Sequence, residues 1–114
     1  MFTYEMLKKN QFIYYEQAQE KLRKYLTSTT CSQVISRVKG QIKGHEQIQI
    51  ILSRLKDEET EESLKEILFC YEQNVNLRNS KQLGSDVSYF YEGICWAYTR
   101  VLNDYEDELD YEVY

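Results

Sequence analysis

Residues 30–55, TCSQVISRVKGQIKGHEQIQIILSRL, decide the architecture. Within them Val34, Val38, Ile42, His45, Ile48, Leu52 and Leu55 recur at steps of three or four, which places all seven on one face of a helix. At 1.5 Å per residue the stretch makes a rod of about 37 Å. Thr30 followed three residues later by Gln33 has the spacing of a capping box, in which each side chain satisfies a free backbone donor at a helix start. A long amphipathic helix is therefore expected to begin there. Gly40 and Gly44 lie four apart on it, the spacing that lets a second helix backbone come close, and this helix is too polar for the membrane setting of that motif.

The same period extends to both sides. Upstream, Leu7, Tyr14, Ala18, Leu22 and Tyr25 mark one face of a helix from Thr3 to Leu26, with Phe2, Met6 and Ile13 as a second apolar line opposite, and Thr27-Ser28-Thr29-Thr30 breaks the pattern. Downstream, Asp57, Glu58, Glu59, Glu61 and Glu62 suit the positive end of a third helix starting near Thr60. Its apolar face is Leu64, Ile67, Leu68, Tyr71 and Val75, and Asn76 to Gly84 reads as a polar exit with the glycine as a left-handed cap. Ser85-Asp86 restarts a fourth helix whose core line is Val87, Phe90, Ile94, Ala97 and Val101, flanked by Tyr91, Tyr98 and Tyr105. The expected fold is all-α, a small bundle of about four amphipathic helices, with homodimerisation through the long second helix as the alternative way to complete the core. Residues 1–103 form the expected helical domain and 104–114 an acidic, tyrosine-rich extension.

Composition supports this and removes several classes of function. The chain has 114 residues, 42% hydrophobic and 14% aromatic, enough for one compact core, and the absence of proline with only four glycines disfavours turn-rich β folds. No secretory signal or run of ~20 apolar residues is visible. Cys31, Cys70 and Cys95 are scattered and odd in number, which fits reduced thiols, so a cytoplasmic location is expected. With one histidine and no Cys/His cluster, neither a metal nor a cofactor is expected. Phosphate-binding glycine loops and the familiar hydrolase and metalloprotease motifs are missing. His45 sits on the apolar seam and reads as a hydrogen-bonded core residue, while Cys70 and Cys95 read as small hydrophobes. A non-enzymatic protein is the expectation.

Two surfaces carry the functional reading. Tyr89 and Trp96, seven residues apart, point roughly 150° away from the core line of the fourth helix, beside Glu92 and Arg100. Either another helix covers them or they form a partner or dimer surface, where Trp, Tyr and Arg often dominate binding. The tail, with Asp104, Tyr105, Glu106, Asp107, Glu108, Asp110, Tyr111 and Glu112, places acids at a helix end whose dipole they oppose. Such a spaced row of negative charge suits a basic groove on a protein that normally holds nucleic acid. The expected function is that of a homodimeric protein-binding regulator or inhibitor, in a composition that looks like a low-GC bacterial, phage or mobile-element reading frame. Expected contact residues are Tyr89, Trp96, Arg100 and the tail residues named above. An immunity-type protein that neutralises a toxin is one alternative.

A nucleic-acid-binding regulator using Arg37, Lys39 and Lys43 is another. Thr29 to Val38 superficially resembles the recognition helix of helix-turn-helix repressors, but the turn and small-residue positions then fall on Ser28 or Thr29 and Lys24 or Tyr25, so the register fails. The formal charge of −5 hides a split. Residues 1–56 carry ten basic and four acidic side chains, a net +6, and residues 57–114 carry four basic and fifteen acidic, a net −11. The two halves are expected to pair, within one chain or across a dimer.

Overall fold

The computed structural model describes residues 3–28, 31–55 and 60–104. Among these, four helices follow one another: α1 (Tyr4–Leu26), α2 (Ser32–Arg54), α3 (Thr60–Asn79) and α4 (Asp86–Asn103). The all-α bundle expected from periodicity is what forms. Local chemistry explains the starts. Thr3 takes an extended backbone and its hydroxyl accepts from the Met6 N–H at 3.2 Å, and Ser85 does the same for the Ser88 N–H at 3.1 Å.

Two ends differ from expectation. The cap of α2 falls on Cys31 rather than Thr30, and it makes no side-chain cap bond. Gly84 does adopt a left-handed backbone, at φ 84°, but five residues beyond the last residue of α3. It turns the chain into the Ser85 cap instead of closing α3.

The organising contact is between α2 and α4, which run parallel. Ser32 faces Asp86 near their starts, and Gln47 faces Tyr98 further along. The two backbones touch where side chains are smallest. A Cβ added to Gly40 would lie 1.9 Å from the Phe90 carbonyl oxygen, one on Gly93 would lie 1.9 Å from that of Arg37, and one on Gly44 would meet Ala97 Cβ at 2.7 Å. Gly40-x-x-x-Gly44 therefore packs against Gly93-x-x-x-Ala97, a small-residue seam that admits a closer approach than larger side chains allow.

Beyond this crossing, the C-terminal halves of α2 and α4 enclose the core with the first halves of the other two helices. Ile48, Ile51, Leu52, Ile94, Tyr98, Val101 and Leu102 pack with Leu7 of α1 and with Leu64 and Ile67 of α3, each at most 2% exposed. Single buried side chains of this kind stabilise by about 1.5–3 kcal/mol each. One chain closes this cluster by itself. α1 lies antiparallel on α2, where the Tyr4 hydroxyl donates to the Leu52 carbonyl and Gln11 meets His45. α3 lies antiparallel on α4, with the Tyr71 and Tyr98 rings 6.4 Å apart.

Val87, placed in the core by periodicity, is 51% exposed, because it stands in the first turn of α4, outside the core cluster. Met6 and Ile13 are exposed too, so the second apolar line of α1 stays outside the core cluster; Phe2 lies outside the described residues. The expected pairing of the charged halves narrows to one ion pair among the described residues, Arg37 with Glu92 at 3.3 Å. The other described ion pairs, Arg23–Glu20 and Lys65 with Glu61 and Glu62, stay within their own helices.

Candidate functional site

The α2–α4 seam determines what surrounds the off-core aromatics. Because Gly93 brings α4 against the backbone of Arg37, the Arg37 side chain must leave along the surface of α4. It does so between the two rings. Its guanidinium carbon lies 5.0 Å from the centroids of both Tyr89 and Trp96, and Glu92, on the same face of α4, holds one terminal nitrogen. The Arg37 Nε is buried without an acceptor among the described residues, so the rings and Glu92 supply its attachment. Cation–π contacts of this geometry contribute about 0.5–1 kcal/mol each at exposed sites. Tyr89 is half-buried as a result, but Trp96 remains 49% exposed. Cover therefore comes from α2, through an arginine, and it is partial.

On the other side of Trp96 lies an open groove of about 510 Å³ between α1, α2 and α4. Tyr14 and Lys21 come from α1, Gln41 and His45 from α2, and Trp96 and Arg100 from α4. The Arg100 guanidinium lies over the Tyr14 ring, 4.3 Å from its centroid, and reaches Gln17 Oε1 at 3.5 Å. The Tyr14 hydroxyl donates to Asp104 at 2.5 Å; burial and then this carboxylate raise the phenol above its ordinary range. Thus Tyr89, Trp96, Arg100 and Asp104 of the expected surface do come together along α4. Tyr105, Glu106, Asp107, Glu108, Asp110, Tyr111 and Glu112 lie outside the described residues.

Arg37, Tyr14 and Lys21 were not among the expected contact residues. For Arg37 half a signal existed: Glu92 with an aromatic on each side of it marks a place for a cation, but which basic residue stands opposite is set by the α2–α4 contact. Of the three cations read as a nucleic-acid surface, Arg37 turns toward α4, while Lys39 and Lys43 are exposed on α2.

His45 borders the groove but is 3% exposed, and its Nδ1 lies 3.0 Å from Gln11 Oε1, so the ring donates that proton. Burial first, and the Arg100 charge second, depress its pKa to about 4, which leaves a neutral imidazole at physiological pH. Cys70 and Cys95 are pushed upward chiefly by burial, so both remain thiols. Cys31 is exposed. Among the described residues no group of three or more His, Cys, Asp or Glu is placed to hold a metal ion, and no helix is long and apolar enough to cross a membrane. No protein family, curated protein or solved structure matches this chain.

Proposed function

We propose that this chain is a non-catalytic protein-binding regulator or inhibitor whose contact surface is the outer face of α4, centred on Trp96. One observation carries the reading: a half-exposed tryptophan has an arginine against its ring, and that arginine is itself anchored by Tyr89 and Glu92. An aromatic already ordered in the free protein loses little side-chain freedom on binding, and Trp, Tyr and Arg are the residues that most often dominate interface energetics. Arg100 and Asp104 extend the surface along the groove rim. The acidic residues from Glu106 to Glu112 add negative charge for a basic site on the partner, as read from sequence.

Capture of a partner from lysate of the source cells tests the proposal. Trp96→Ala is expected to reduce capture by tenfold or more with the helical circular dichroism unchanged, in line with a hot-spot loss of about 2 kcal/mol. A chain ending at Asp104 measures the contribution of the tail separately. Undiminished capture by both variants refutes the assignment. Sedimentation of the free chain in the same buffer tests the homodimer, in which the partner is a second copy.

A further inference from the structure

We infer that the groove between α1, α2 and α4 is the seat for an acidic segment of the partner protein, an inference that rests on the α4 surface proposed above and gives that surface its chemistry. The charges lining the groove carry it. Lys21 and Arg100 are exposed cations contributed by α1 and α4, and neither has an ion-pair partner among the described residues. Asp104, the acid at the same rim, accepts from the Tyr14 hydroxyl through one of its two carboxylate oxygens. Arg100 is not idle: its guanidinium carbon stands 4.3 Å from the centre of the Tyr14 ring and one terminal nitrogen reaches Gln17, which leaves further N–H donors to receive a carboxylate. Trp96 and Tyr14 provide apolar surface between the charges, so the matching segment carries two or more carboxylates with an aromatic or aliphatic side chain among them.

A carboxylate-bearing peptide fits better than a nucleic acid. The volume of about 510 Å³ is that of a compact ligand cleft, and two cations do not make the extended positive track that a phosphate backbone follows.

The test titrates the full chain with an end-blocked decapeptide of alternating Glu and Tyr, following the emission of the single tryptophan, with calorimetry in parallel. Saturable binding is expected, weakening with salt. Lys21→Glu and Arg100→Glu should each weaken it tenfold or more, Arg100→Gln by less, and Lys8→Glu, elsewhere on α1, by under twofold. All three positions are exposed, and circular dichroism verifies the fold of each variant.

Equal affinity in the charge-reversed and parent chains overturns the inference, as does equal binding of a Lys/Tyr decapeptide or tighter binding of a ten-nucleotide oligothymidine. Other occupants have their own signature. If Arg100→Glu shifts the tryptophan emission with no peptide present, and the peptide does not bind the parent, the groove belongs to the acidic residues of this chain. A shift independent of protein concentration then indicates the same copy, and a concentration-dependent one a second copy; both overturn the inference. Loss of partner capture in Trp96→Ala alongside full capture in Lys21→Glu and Arg100→Glu overturns the acidic-segment inference and leaves the α4 surface intact.

Discussion

Replacing Gly40 by alanine inserts one methyl group where the structure has no room for it. The new Cβ would lie 1.9 Å from the Phe90 carbonyl oxygen, 2.9 Å from its carbon and 3.0 Å from the Ile94 nitrogen. These are backbone atoms of a neighbouring helix, so no rotamer change relieves the contact. α4 must retreat by about 1.5 Å to reach ordinary van der Waals distance, and that loosens the whole α2–α4 seam. Overpacking of this severity costs about 3 kcal/mol, against which alanine returns about 1 kcal/mol of helix propensity, for a net loss near 2 kcal/mol. In urea denaturation followed by circular dichroism the midpoint should fall accordingly, and the melting temperature by about 10 °C. Gly93→Ala strikes the same seam from the other side, through the Arg37 carbonyl at 1.9 Å. Once one methyl has parted the helices the second costs less, so the double variant should be more stable than the sum of the two losses implies. Asn76→Ala, on the exposed side of α3, serves as the propensity control and should change stability by less than about 0.5 kcal/mol. A Gly40→Ala chain as stable as the parent, or stabilised by its better helix former, refutes the close approach of α2 and α4.

Two further outcomes follow from buried polar groups. His45 has a folded pKa near 4 against an ordinary 6.5, so the unfolded chain binds its proton first and stability falls as pH drops from 6.5 toward 4, by up to about 3 kcal/mol. Denaturant titrations across that window should show the slope and lose it in His45→Gln; an equal slope in both chains sinks the assignment. Gln47 Oε1 accepts from the Tyr98 hydroxyl at 2.9 Å and from Asn74 Nδ2 at 3.2 Å. Gln47→Leu therefore strands a buried phenol at a cost of about 2 kcal/mol, and adding Tyr98→Phe should recover part of it. A double variant less stable than Gln47→Leu alone is the contrary result.

The helices and most of their faces were legible because periodicity and capping are local. The bound at Thr3, the restart at Ser85 and the Val38–His45–Ile48–Leu52 seam needed only neighbours in the chain to be identified, although the capping box read at Thr30 gave way to a cap on Cys31. Gly40 and Gly44 announced a close approach but not its partner, which lies some fifty residues away. Gly93-x-x-x-Ala97 carries the matching spacing and reads as part of an ordinary core line unless the two helices are considered together. Val87 was misplaced for a related reason: a helical period assigns a residue to a face but does not say where the neighbouring helices end. At the candidate site, Tyr89 and Trp96 were identifiable as off-core aromatics. Arg37 was grouped with Lys39 and Lys43 by charge alone, whereas the direction in which it leaves α2 is set by tertiary contact with Gly93. The groove was not legible at all, since it exists only between helices.

The parallel pairing of α2 with α4 also sets a timetable for synthesis. Residues that meet at the seam, Gly40 and Phe90, are separated by the whole of α3. At ribosomal rates of about 5–20 residues per second, α2 waits roughly 3–10 s before the last turn of α4 has been made. During that interval α2 has α1 for company but not the helix against which its glycine face closes. Glycines favour neither helix nor contact on their own, so that face stays incomplete until α4 has been made. Closure of the seam therefore waits for α4, and a ribosome stalled within α4 would hold a chain with three helices encoded and its central contact still unmade.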